Sequence, residues 1–251
     1  MKIIISPAKK MKIDMDTFAC LSMPQYLEKT QQLLTYIKDC SLEQCRRIWK
    51  CNEKLAELNY DRFQKMKIKC GLTPALLAYE GLQYQHMAPA VMEQSALDYL
   101  QCHLRIVSGF YGLLRPFDGV VPYRLEMQSR LGGEEVDSLY EFWGDLLWKG
   151  ILEEGEKLIL NLASKEYSKC LEKYLKTSHG QEIIYVTCVF GEEKEGKVRE
   201  KGTYAKMARG EMVRYLAQHQ VKTLEKVKDF EGLGFRFSEA HSHAASLVFL
   251  R

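Results

Sequence analysis

Several stretches of this chain place cationic, hydroxyl and carboxylate side chains where the backbone must turn. Ile3-Ile4-Ile5-Ser6-Pro7-Ala8-Lys9 sets a serine and a lysine just past a buried strand, and sheets covered by helices bind ligands outside their strand ends. Lys9 is therefore a candidate anion contact. Ser6-x-x-Lys9 also has the form of an acyl-transfer motif, but its Ser-Asp-Asn and Lys-Thr-Gly companions are missing from the sequence. Ser108-Gly109-Phe110-Tyr111-Gly112-Leu113-Leu114-Arg115-Pro116 reads as an apolar hairpin. Its glycine amides are suited to holding a phosphate oxygen, with Arg115 adding charge, or else the run is a tightly packed turn.

Three further runs carry the same kind of chemistry. Pro122-Tyr123-Arg124-Leu125-Glu126-Met127 alternates as a strand would, which puts Arg124 and Glu126 on one face, paired with each other or bracketing a ligand. Asn161-Leu162-Ala163-Ser164 closes a second apolar run ahead of a helix, whose free N-terminal amides favour an anion; Ser164 is either a contact there or only the N-cap. Lys206 and Arg209 stand one turn apart on a helix face. Gly210 beside them costs about 1 kcal/mol relative to alanine in a helix, which implies close approach by a neighbour or by a phosphate. If these groups line a small-substrate pocket, Glu126 and Asp145 are the candidate general bases and Asn161 the residue that orients the substrate. His241-x-His243 lacks a third and a fourth ligand, so no metal site is expected. Walker, Gly-x-Gly-x-x-Gly and Gly-x-Ser-x-Gly motifs are missing as well, and no cofactor is expected.

The elements that position these groups follow from periodicity. The N-terminal run Met1-Lys2-Ile3-Ile4-Ile5 reads as a strand that begins at once. A helix opening at Ser22-Met23-Pro24 carries Leu27, Thr30, Leu33, Leu34 and Ile37 at helical spacing, and Ser41-Leu42-Glu43-Gln44 has capping-box form ahead of Cys45, Ile48, Trp49 and Leu55. Ser95 to His103 is amphipathic, Arg105 to Gly109 a strand entering a bend, and Leu139 to Asp145 the start of a helix. Lys157 to Ser164 and Glu182 to Phe190 read as strands, the second followed by a charged turn over 191–196. Thr203 to Gln218 is a helix with Ala205, Ala208, Met212 and Leu216 inward, and short strands around Phe235-Arg236-Phe237 and Leu247-Val248-Phe249 close the chain. Helix and strand are mixed throughout, without a regular βαβ rhythm.

With 46% hydrophobic and 27% charged residues, the 251-residue chain can bury a full core, which excludes a disordered tail protein or a disulfide-dependent scaffold. The longest apolar stretch, Ile106 to Leu114, is interrupted by Ser108, Gly109 and Gly112 and falls well short of the about 20 residues a bilayer requires. Pro7 breaks the N-terminal apolar run too early for a signal peptide. Eight scattered cysteines without Cys-x-x-Cys point to reduced thiols in the cytosol, most of them acting as small core hydrophobes. The net charge of +3 is unevenly spread: residues 1–70 hold 14 basic against 8 acidic side chains, and 199–226 hold 7 against 3. Residues 132–156 hold 8 acidic against one lysine. Two basic segments converging on an anionic partner would give that pattern, but on charge counts alone solvated helix faces are the better account of it.

Taken in order, six runs resemble the bacterial peroxide stress protein YaaA family: Ile5 to Lys9, His103 to Pro116, Pro122 to Met127, Phe142-Trp143-Gly144-Asp145, Asn161 to Ser164 and Tyr204 to Gly210. The match is colinear over essentially the whole chain. Where that family usually carries Phe-x-Gly-Asp-Val-Tyr-x-Gly, this sequence reads Tyr79-Glu80-Gly81-Leu82-Gln83-Tyr84-Gln85-His86. The resemblance implies one mixed α/β domain over residues 1–251, a rolled mixed sheet flanked by helices with a helix-hairpin-helix-like element. It also implies a cytoplasmic protein of the hydrogen peroxide response that keeps unincorporated iron low and binds duplex DNA in a positively charged cleft. The expected double-stranded DNA contacts are Lys9, Arg115, Arg124, Ser164, Lys206 and Arg209. The alternative is an enzyme acting on a small phosphorylated or nucleotide-like substrate, an anionic small molecule held by the same residues. Direct iron storage lacks a ligand set.

Overall fold

A computed structural model describes residues 1–132, 137–177 and 182–251. Glu134 and Glu135, part of the acidic segment, lie outside the described residues. The centre is strand β1 (Lys2–Ile5), whose three isoleucines are all fully buried. A continuous apolar strand is what a sheet covered on both faces selects. Here β1 runs parallel to β5 (Leu104–Ser108) on one side and to β8 (Leu158–Asn161) on the other, with Ile3 opposite both Leu104 and Leu160. Beyond β8 lie β9 (Ile184–Lys194) and β12 (Ser246–Leu250), again parallel. Antiparallel additions finish the edges: β6 (Gly112–Leu114) on β5, β11 (Arg236–Phe237) on β12, and β10 (Lys197–Arg199) on the far part of β9. The result is an eight-stranded mixed sheet with flanking helices.

The helices are α1 (Leu27–Asp39), α2 (Leu42–Trp49), α3 (Glu53–Lys65), α4 (Ala75–Ala78), α5 (Leu82–Met87), α6 (Gln94–His103), α7 (Leu139–Trp143), α8 (Leu146–Leu152), α9 (Lys165–Glu172), α10 (Gly202–Gln218) and α11 (Leu224–Lys228). Those read from apolar spacing bury the residues expected: Thr30, Leu33, Leu34 and Ile37 in α1, and Ala205, Ala208, Met212 and Leu216 in α10. The capping box at Ser41 forms, with Gln44 N bonded to Ser41 Oγ and Ser41 N to Gln44 Oε1.

Four expectations change. The first helix begins at Leu27 rather than at Ser22, because Ser22 Oγ donates to Asp118 Oδ1 at 2.6 Å instead of capping. The second helix stops at Trp49, where Lys50 turns left-handed (φ 44°), and Asn52 caps a new helix through Leu55 N, leaving Leu55 exposed. Residues Pro122 to Met127 join no ladder, although Tyr123 and Leu125 are buried. Strand β9 runs on to Lys194, and only Glu195-Gly196 turn the hairpin into β10.

Two small ladders went unread in the sequence: β2 (Lys10–Met11) with β4 (Tyr79–Glu80), and β3 (Thr73–Pro74) with β7 (Gly119–Val120). The first matters most, because it lays the Tyr79–His86 run beside the loop that follows β1. Helix α10 then packs across α5, α6 and β9. Among the described residues no helix is long and apolar enough to cross a membrane.

Candidate functional site

Strand β1 leads toward β5 on one side, whereas β8 leads toward β9 on the other. The carboxyl ends of β1 and β8 therefore flank a topological switch point, the usual crevice of an open parallel sheet. Ser6 leaves β1 there and Ser164 follows β8, and the two serines are tied together. Ser6 Oγ accepts from Ser164 N at 2.8 Å and donates to Ser164 Oγ at 3.2 Å. Ser164 sits at the N-cap position of α9, but its hydroxyl makes no capping bond. Asn161 shapes this turn from below: its Oδ1 accepts from Ala163 N (2.9 Å) and its Nδ2 donates to Thr187 Oγ1 (3.1 Å). With its amide committed to the fold and 1% of its surface exposed, Asn161 positions Ser164 rather than orienting a ligand.

A cleft of about 390 Å³ opens over these strand ends. Lys9 and Lys10 border it from the β1 loop, Lys206 and Arg209 from α10, and Glu80, Gln83 and Glu166 complete its polar lining. Tyr84 OH donates to Ser6 O at 3.0 Å and so fastens α5 to the β1 loop. Gly210 does not face the cleft: a β-carbon there would stand 2.1 Å from Gln83 O, so the glycine exists to let α10 press against the backbone of α5. The close approach expected of Gly210 is thus to a neighbouring helix, not to a phosphate.

The charges around the cleft are mixed and partly paired. Lys10 Nζ lies 3.0 Å from Glu80, opposite it in the β2–β4 ladder. Arg209 is largely buried and pairs with Glu200 at 3.3 Å; burial lowers its guanidinium pKa, with Glu200 opposing the shift. Lys206, one turn earlier, is exposed. In an adjoining recess Glu126 receives Arg124 Nη2 at 3.1 Å and Lys9 Nζ at 3.4 Å. Those are ion-pair distances without hydrogen-bond angles, so Glu126 Oε1 is buried with no hydrogen bond among the described residues. Burial pushes the Glu166 carboxyl up; the Gln128 amide, 3.2 Å away, and Lys9 pull it down, and Glu126 adds to the rise.

Lys9, Ser164, Lys206 and Arg209 therefore meet at one cleft, with Arg124 and Glu126 in the recess beside it. Two anticipated residues do not join them. Arg115 lines a different cavity, because the glycine run before it is no exposed hairpin: Ser108 to Leu114 is buried throughout. A β-carbon at Gly109 would meet Leu125 O at 2.6 Å, and one at Gly112 would meet the Trp143 ring. Asp145 stands at the N-cap position of α8 without a side-chain capping bond and pairs with Lys149 at 2.8 Å; that hydrogen bond holds its carboxyl below the ordinary range, which makes it a poor base. His241 and His243 do not converge either. His241 Nδ1 bonds Ser238 Oγ at 2.9 Å, while His243 pairs through its backbone with Ser246.

Residues 1–241 match the family described as peroxide stress protein YaaA. The chain belongs to that family. Its similarity to curated proteins runs the full length: it is 52% identical to a UPF0246 protein of Lachnoclostridium phytofermentans, covering 100% of this chain and 96% of that one. A UPF0246 protein of Desulfitobacterium hafniense is 50% identical, covering 100% and 98%, and one of Pediococcus pentosaceus 47%, covering 100% and 98%. The Tyr79–His86 run, which departs from the usual family pattern, forms the cleft wall with Glu80, Gln83 and Tyr84. No periodicity marks that wall, since β4 has only two residues and α5 only six. Gly81 was its one local signal, for a β-carbon there would lie 3.2 Å from the Ala8 side chain.

Proposed function

We propose that this chain, as one domain over residues 1–251, acts in the cytoplasm during peroxide stress by binding duplex DNA, with the cleft over β1 and β8 as its phosphate-contacting surface. The observation that carries the reading is the convergence of Lys9, Lys10, Lys206 and Arg209 on one cleft from two separate elements. Lys9, Lys10 and Lys206 are exposed and reach phosphates without leaving a buried partner unpaired, whereas Arg209 is held back by Glu200. Arg124 acts behind them, balancing Glu126 so that Lys9 remains a net cation toward solvent. The helix-hairpin-helix element of this reading is the α2–α3 pair, joined by Lys50-Cys51-Asn52 and carrying exposed Arg46, Arg47, Lys50 and Lys54. Phosphate contacts fix position without reading sequence, so binding is sequence-independent. Limiting iron-driven damage to the covered DNA is the physiological consequence.

Fluorescence anisotropy with a labelled duplex across a salt series tests this, with wild type beside Lys9→Gln/Lys206→Glu. Both positions are exposed, so the fold survives the change. Each phosphate contact contributes roughly 0.9 to the slope of log affinity against log salt, and the double variant should flatten the slope by about two. Equal slopes would remove the cleft from the DNA path.

A second reading rests on the buried donors of the same cleft. Gln83 Nε2 and Arg209 Nε have no hydrogen-bond partner among the described residues, and buried donors of that kind call for an acceptor. The cleft volume also falls within the roughly 300–1,000 Å³ of small-ligand sites. The ligand is then a small phosphorylated or nucleotide-like molecule, with Glu126 as the candidate base. Calorimetric titration with nucleoside phosphates separates the two: heats abolished by Gln83→Leu, with DNA affinity unchanged, favour the small ligand.

A further inference from the structure

The amino ends of the same central strands carry a second cluster of charge, at the pole opposite the cleft. Lys2 in β1 and Arg105 in β5 both reach Glu154, which follows α8: Lys2 Nζ lies 2.7 Å from Oε2, and Arg105 Nε lies 2.7 Å from Oε1. The two cationic side chains are only 9% and 4% exposed, and they share this single carboxylate. Arg105 Nη1 is spent on the carbonyls of Gln101 and Leu104, while Nη2 makes no hydrogen bond among the described residues. A third cation stands at the mouth, where Arg115 Nη2 lies 4.0 Å from Glu154 Oε1 with its side chain 53% exposed.

These groups border a cavity of about 340 Å³ lined by Ser22, Gln25, Arg105, Arg115, Asp118 and Glu154. Asp118 offsets part of that charge, within Coulombic reach of both Arg115 and Arg105. Its Oδ1 accepts from Ser22 Oγ and its Oδ2 from Arg115 N. Burial also raises its pKa, against the pull of those two bonds and of the Arg115 and Arg105 charges. Three cations, Lys2, Arg105 and Arg115, against the two carboxylates of Glu154 and Asp118 leave an excess of one positive charge, with Lys2 and Arg105 largely buried, and buried charge without a counter-charge is costly. An arginine that lines such a space with an unused Nη2 is the usual receptor for a planar or tetrahedral oxyanion.

We propose that this polar cavity is a second ligand site, distinct from the cleft over β1 and β8, and that it takes a small oxyanion, a phosphate or carboxylate group, between Arg105 and Arg115. Arg105 supplies the fixed, buried donor, and Arg115 closes over the anion from the exposed side. Glu154 holds Arg105 in place and limits the excess so that one small anion neutralises it.

Isothermal titration calorimetry of the full chain, with inorganic phosphate in one arm and succinate in the other, tests the site. Saturable binding of one equivalent is expected in one arm, and the stronger arm names the ligand class. Arg115→Gln should weaken that binding about tenfold, the loss of one charge-assisted contact, and Arg115→Glu should abolish it. Both changes fall on a half-exposed side chain, so an unaltered melting temperature without ligand certifies the fold. Lys206→Glu, in the other cleft, should leave the affinity as it was. No binding in either arm overturns the proposal, as does binding indifferent to Arg115→Glu or binding lost in Lys206→Glu, which would place the anion at the opposite pole.

Discussion

At the scale of single residues, Glu166 decides how negative the candidate cleft becomes. Burial raises its carboxyl, more than the Gln128 amide and Lys9 lower it, and Glu126 repels its charge further. A carboxyl whose folded pKa lies above its unfolded value favours the folded chain at low pH, and that contribution is lost as pH rises through the folded pKa. The same titration adds a negative charge beside Lys9. Affinity for a labelled duplex at fixed salt should therefore fall as pH rises through this window, by about 1 kcal/mol, and Glu166→Gln should remove the step. An identical pH profile in the variant would assign the effect to another group. The sequence offered Glu126 and Asp145 as the carboxylates of interest, and neither choice could register Glu166. It lies two residues past the Ser164 N-cap, where an acid is ordinarily explained by the helix dipole.

The elements hold the cleft open through one crossing. Helix α10 touches α5 where Gly210 meets the Gln83 carbonyl, so Gly210→Ala drives a methyl into backbone that has no rotamer by which to yield. The variant should lose about 1–3 kcal/mol in urea unfolding, the range for overpacking. If alanine instead stabilises the protein through its higher helix propensity, the crossing is looser than drawn. Much of this architecture was legible: the four inward residues of α10, the stripe of α1 and the capping box at Ser41 all follow from local spacing. The break at Lys50 was not, since Asn52 competes with a helical pattern that runs straight past it. Nor was the loose path of Pro122–Met127, where Tyr123, Leu125, Glu126 and Met127 are all buried without a strand partner. Short ladders such as β2–β4 are set by partners about 70 residues away in sequence and leave no period to read.

At the scale of the whole molecule, the eight cysteines report on packing. Cys40, Cys45, Cys170 and Cys188 are buried, Cys20 and Cys51 half-buried, and Cys70 and Cys102 exposed. Burial pushes the Cys45 and Cys170 thiols up to about 12. Titration with a thiol reagent near neutral pH should find two fast groups, and all eight only after denaturation; more than four fast groups in the native protein would contradict the core described here. The two poles are joined by β1 itself, which carries Lys2 at one end and Ser6 just past the other, roughly 13 Å apart at the rise of a strand. That central position has a consequence for biosynthesis. Strand β1 leaves the ribosome well before its partners, residues 104–106 and 159–161. At about 5–20 residues per second, β1 waits on the order of 10–30 s for the second of those partners. Throughout that interval three bare isoleucines are on offer to any chaperone, or to any other nascent chain, within reach.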